Sequence, residues 1–258
     1  MIASIIAVLV LGLTACVILA IIGAEKPWLQ VVALARATAQ LAVLSLVLRE
    51  VISNTWLTVA FLCVMTAVAI WTAHRRTPPT LRHPLVTAAA LAVGWIVPVL
   101  IIVSLGAVPV SDSSKVLAIG GIVIGNSMTA TSLLTRNLSS RLTQGSDEYL
   151  GWLALGATPR QAARPAVREA VSVSVMPATD QARTTGLVTL PGAFVGALFG
   201  GASAWEAARF QLLVLAAILC AGAITALVLT RALGAPATLL VAPEAPAPSG
   251  RGSTHTTS

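Results

Sequence analysis

The apolar runs of this chain are too long and too evenly spaced for a soluble core. Runs at about 2–23, 29–49, 54–73, 85–108, 116–135, 184–203 and 208–231 each carry roughly twenty residues with few charges. A helix rises about 1.5 Å per residue, so about twenty residues cross the ~30 Å hydrocarbon layer of a bilayer. The seven runs predict an all-α integral membrane protein with about seven spanning helices. Composition agrees: 57% of the residues are hydrophobic and only 10% are charged, against about 25% charged in a soluble domain. The sixth run departs most from the pattern, because it contains Pro191 and many glycines.

The formal net charge is +7. A nucleic-acid surface is the other reading of such a charge, but the arginines are spread through short loops between the runs, where positive residues set orientation. One set of loops carries Lys26, then Arg75, Arg76 and Arg82, then Arg136 to Arg183, then Arg231; the other carries Arg49, Lys115 and Arg209. The bias predicts an N-terminus outside and a C-terminus in the cytoplasm, which an odd number of spans allows. The expected organisation is a transmembrane domain over 1–233, with its longest cytoplasmic connection at about 136–183. The Pro-, Ala-, Ser- and Thr-rich segment 234–258 reads as a disordered cytoplasmic tail. No Lys or Arg precedes the first run, so it does not read as a signal peptide. Cys16, Cys63 and Cys220 fall inside apolar runs and read as small buried hydrophobes rather than ligands or disulfides.

Within the long connection, Glu148 to Leu155 reads as a helix ending at Gly156, a C′ glycine. Ala157 leads to Thr158 as the N-cap of a second helix, with Pro159 at N1 and Gln161 at N3 completing a capping box. Arg160, Arg164 and Arg168 recur every four residues and would share one face of that helix. Pro165 should kink or shorten it. Two short helices thus meet in an elbow. It reads either as a docking element for a cytoplasmic partner or as a basic amphipathic linker on anionic headgroups.

Four stretches then carry a resemblance: ARATAQL at 35–41, GNSMTATSLL at 125–134, LGATPRQA at 155–162 and DQARTTGLVTLPGAFVGALFGG at 180–201. Over roughly residues 25–232 the chain resembles the FetB-type permeases of ABC transporters. The resemblance implies a coupling helix at the elbow that docks into a separate ATPase chain. Glu148, Gly156, Ala157, Thr158, Arg160, Gln161 and Arg164 would make that contact. It also implies iron export, while plant relatives of the family are linked to aluminium tolerance and nucleotide-sugar transport. Independently of the resemblance, neither Lys26 nor Lys115 ends a GxxxxGK[ST] loop, so the chain does not read as a P-loop ATPase itself; the resemblance then implies ATP and Mg on a partner ATPase and no cofactor in this chain.

Polar residues within apolar runs are expensive and usually meet a partner or a pathway. Arg36 and Gln40 lie i, i+4 in the second run; they read as a pathway or pairing face, or as an arginine snorkelling to the headgroups. Asn126 lies mid-way along the fifth run, either as interhelical glue or on a translocation path. Asp180 and Arg183 lie i, i+3 at the start of the sixth run, as a solvated pair or as a hinge between the elbow and that span. Pro191 would weaken the same span. Gly192, Gly196 and Gly200 form GxxxGxxxG, the pattern of a close helix contact. Gly94, Trp95 and Pro98 predict a kinked fourth span.

No metal site is predicted. His74, His83 and His255 lie outside the runs, no carboxylate lies deep in one, and Met65 and Met128 are isolated. The leading expectation is a homodimeric permease subunit in the cell membrane, neither an enzyme nor a nucleic-acid binder, in contact with lipid and an ATPase, and exporting iron or another metal. The alternatives are a permease for a nucleotide sugar or other anionic solute, which Arg36 would serve, and a non-transporting scaffold that recruits a soluble partner.

Overall fold

A computed structural model describes residues 2–234 and is all-helical over them, apart from one isolated bridge between Thr185 and Thr189. The expected tail lies, Gly234 aside, outside the described residues. The chain divides into two compact units at Thr58 and Val59. In the first, α1 (Ile2–Ile21) packs beside α2 (Leu29–Ser53). Gly12 permits that approach, since a Cβ there would stand 2.7 Å from the Leu34 side chain. The Thr58 hydroxyl donates to the Val51 carbonyl at 2.8 Å, tying the end of α2 to the next helix.

The second unit holds most of α3 (Thr55–Arg76), then α4 (Pro84–Ser104), α5 (Ser113–Gln144), α6 (Ser146–Ala154), α7 (Pro159–Ala162), α8 (Arg164–Thr184), α9 (Gly192–Phe199) and α10 (Ala204–Leu233). Five helices among the described residues, α2, α3, α4, α5 and α10, are long and apolar enough to cross a bilayer, and α1 is apolar over Ile5–Ile21. α5 is 32 residues long, about 48 Å at 1.5 Å per residue, so it outruns the expected fifth span.

Two apolar clusters mark the ends of a four-helix core. At one end Ala90 of α4, Leu138 and Leu142 of α5, Ala170 of α8 and Leu229 and Leu233 of α10 come together. At the other, Val99 and Ile102, Ile119 and Val123, and Val214 and Ile218 pack with Ala178 of α8. Hence α5 and α10 run one way, and α4 and α8 the other.

This arrangement corrects the sequence reading of the sixth span. The run 184–203 is not one helix. α8 stops at Thr184, a turn with Gly186 at φ 90° follows, and Pro191 caps α9, which is only eight residues long. That is about 12 Å of helix, too short to cross. Gly201, at φ 91°, turns the chain into α10. α8, twenty residues earlier, packs along the core against α5 and α10, within the segment that the sequence reads as the long cytoplasmic connection.

The glycine stripe finds no packing partner within this chain. A Cβ on Gly192 or Gly196 would meet nothing within 4 Å, and one on Gly200 would meet only carbonyls of its own helix. The stripe makes no close helix contact in this chain. Instead it walls a cavity of about 820 Å³ with Lys115, Glu206 and Arg209 at the α9 end of the core. The close approach occurs elsewhere: a Cβ on Gly94 would run into the Thr225 hydroxyl of α10. α4 continues as one helix through Pro98. Of the three cysteines, Cys63 is exposed rather than buried.

Candidate docking site at the helical elbow

The elbow forms at Gly156, as the sequence predicts, and its geometry explains the residues. The Gly156 and Ala157 amides donate to the Leu153 and Trp152 carbonyls at 2.9 and 3.0 Å. These two bonds are the Schellman closure, and they need φ > 0 at Gly156, which is 88°. Thr158 then caps α7. Its hydroxyl accepts from the Gln161 amide at 3.3 Å, while the Gln161 side chain accepts from the Thr158 amide at 2.8 Å. Orphan donors at the start of the helix are thereby satisfied from both sides.

Pro165 accounts for the difference from a single second helix. α7 ends after four residues and α8 begins at Arg164 with the proline in its first turn, where a missing N–H costs nothing. Arg160, Arg164 and Arg168 therefore do not share one helical face. They still converge. Arg160, Gln161 and Arg164 line a pocket of about 410 Å³ with Thr230 and Arg231 of α10. Arg164 and Arg168 line a second pocket, of about 590 Å³, with Trp152, Leu155, Gly156 and Ala157. Glu148 lies in the first turn of α6 and accepts weakly from the Trp152 indole, at 3.4 Å. Leu155, at the tip, is 83% exposed. The surface combines arginines with an exposed leucine and tryptophan. Such a mixture suits a partner with an acidic rim and an apolar slot.

Contributions from far along the chain were missed in sequence. Arg231 joins the pocket from the end of α10, and Arg141 of α5 pairs with Glu169 of α8. Pairs this distant in sequence leave no local pattern.

The other predicted residues are dispersed. Arg36 and Gln40 both stand exposed on α2. The Asn126 side-chain amide donates to the Ile122 carbonyl of its own helix at 2.9 Å, with no interhelical bond among the described residues. Asp180 and Arg183 pair at 3.8 Å, both largely exposed. They sit at the end of α8 remote from the elbow, where the chain leaves α8 for the turn before α9. Pro191 caps α9 rather than kinking a continuous span. Among the described residues no group of three or more His, Cys, Asp and Glu could hold a metal.

Comparison with known proteins adds a family. The profile of the "Uncharacterised protein family (UPF0014)" matches residues 2–235. The chain is 33% identical to the UPF0014 membrane protein YjkA of Bacillus subtilis, over 81% of this chain and 83% of that one. It is 33% identical to the UPF0014 membrane protein STAR2 of rice, covering 77% and 70% of the two chains. It is 30% identical to the "Probable iron export permease protein FetB" of Escherichia coli, covering 69% and 70%. No solved structure matches. With the apolar helices, these relatives establish a multi-pass membrane protein.

Proposed function

The chain belongs to the UPF0014 family of membrane proteins, and on that premise we propose that it is the permease subunit of an ABC transporter that exports iron or another metal cation. A separate ATPase chain supplies ATP hydrolysis and docks at the elbow. The observation that carries this reading is the elbow itself. A Schellman-closed glycine and a capping box hold a three-arginine, leucine-tipped surface rigidly at one end of the helical core. The relative named a probable iron export permease supports the substrate class.

The positive residues cluster at the elbow end, where Arg75, Arg76, Arg82, Arg141 and Arg231 lie at or near the ends of α3, α4, α5 and α10. The positive-inside rule puts that end in the cytoplasm. With α8 replacing the broken sixth run, the crossings are α1, α2, α3, α4, α5, α8 and α10. Their odd number keeps the N-terminus outside and the C-terminus inside. Two copies would complete the transporter. A second reading, transport of an anionic solute, rests on Arg36, which has no ion-pair partner among the described residues.

The test is ATPase activity of the reconstituted permease with its cognate ATPase. Arg160→Glu reverses one charge of the docking surface, and Gly156→Ala forces a side chain into a left-handed turn. Both variants should lose stimulation by the permease while remaining in the membrane. Full stimulation in both would overturn the assignment.

A further inference from the structure

The cavity of about 820 Å³ at the α9 end of the core has a charged rim and apolar walls. α5 and α10 are both long and apolar enough to span a bilayer, and they run the same way, so their starts lie at one membrane face. Lys115 is in the first turn of α5 and Arg209 in the second turn of α10. Trp205, one turn before Arg209, is 79% exposed and is the aromatic residue expected at the headgroup level. Arg209 therefore stands about 6 Å further along the helix, toward the hydrocarbon.

The charges of this rim are not equally occupied. Lys115 pairs with Asp112 at 2.7 Å. Glu206 is held by the cap of α10, where it accepts from the Ser203 amide and hydroxyl at 2.9 and 2.8 Å. Arg209 has no hydrogen bond or ion pair among the described residues. An arginine past the headgroup level is expensive unless a counter-charge reaches it. The walls beside it include Ile122 of α5, Phe210 and Leu213 of α10, and Gly196 of α9. A Cβ on Gly196 meets nothing within 4 Å, and no residue of α9 is buried. No side chain among the described residues fills this trough.

We propose that the cavity is a phospholipid site: the Arg209 guanidinium takes the phosphodiester, and an acyl chain lies in the trough between α9, α5 and α10. The two halves of the site choose the occupant together. A guanidinium matches phosphate oxygens in a two-pronged, charge-assisted contact, and the walls below it suit only apolar matter. A soluble anion would answer Arg209 and leave the trough unfilled. An apolar helix would fill the trough and leave Arg209 unanswered. A phospholipid carries both groups, in the right order along the membrane normal. The volume lies within the usual range of small-molecule sites, about 300–1,000 Å³. The bound lipid also anchors α9, which has no buried side chain to do so. The proposal rests on α5 and α10 as membrane helices, and not on the permease reading.

The experiment takes the full-length protein, delipidated in detergent. It is titrated with phosphatidylglycerol, with diacylglycerol of the same chains, and with inorganic phosphate. Bound molecules are counted by native mass spectrometry, and melting temperature is followed in parallel. Phosphatidylglycerol should bind and raise the melting temperature, and diacylglycerol should bind several-fold more weakly. Arg209→Gln and Gly196→Leu should each weaken phosphatidylglycerol several-fold, and Arg209→Lys should recover part of the loss. Arg183→Gln, at another exposed arginine of the same end of the core, should bind as the parent does. Equal binding of diacylglycerol, or unchanged affinity in either Arg209→Gln or Gly196→Leu, overturns the proposal. Inorganic phosphate that binds as tightly as the lipid makes this a free-anion site and overturns the lipid assignment. A dimer that takes up no lipid gives the cavity to a second copy and overturns it as well. No ATPase enters these measurements, so the docking assignment stands or falls separately.

Discussion

Gly94 shows how one residue without a side chain holds two helices together. It faces Thr225 of α10, whose hydroxyl reaches the Ala90 carbonyl at 3.4 Å, and Ser127 of α5 lies against the same spot. Ser127 and Thr131 are fully buried there without hydrogen-bond partners, so the seam has no slack to absorb an added carbon. Gly94→Ala should destabilise by about 1–3 kcal/mol, the usual cost of overpacking. Adding Thr225→Ala removes the obstructing hydroxyl and should recover part of the loss, a coupling readable as a double-mutant cycle in thermal unfolding in detergent. Gly94 also belongs to the predicted kink of the fourth span. Its packing role depends on which helix lies opposite, and nothing local in the sequence records that.

At the scale of the element, helix ends were legible and helix extents were not. Gly156, Thr158, Pro159 and Gln161 announce a stop and a start, because caps are satisfied by residues within a few positions of one another. The start of α5 follows the same logic. Asp112 accepts from the Lys115 amide at 3.2 Å and pairs with its ammonium at 2.7 Å. Partial burial pushes the Asp112 carboxyl up, but the hydrogen bonds from Lys115 and Ser114 outweigh it and leave the carboxyl below its ordinary value. A depressed carboxylate stabilises the fold above its unfolded-state pKa, and that contribution is lost as pH falls through the folded one. Asp112→Ala should therefore cost about 1 kcal/mol at neutral pH. The gap from the parent should close on acidification below the ordinary carboxylate range, as melting temperatures measured across pH would record. α8 failed to announce itself because hydropathy averages over both faces of a helix, and this one is apolar on one side only.

At the scale of the whole molecule, the predictions concern sides of a membrane. Cysteines placed at Leu150 in α6 and at Leu187 after α8 should be labelled from opposite sides by an impermeant thiol reagent, Leu150 from the cytoplasm and Leu187 from outside. Labelling from the same side would return α8 to the cytoplasmic connection. The membrane class, the helical caps and the basic elbow followed from the sequence by itself, because they rest on segment composition and on bonds between near neighbours. Only the tertiary structure decided that the run at 184–203 is broken, that the glycine stripe walls a cavity, and that a charged helix lies along the core. Those outcomes depend on which faces are covered by α5 and α10, and covering is a contact between distant parts of the chain that local pattern does not encode.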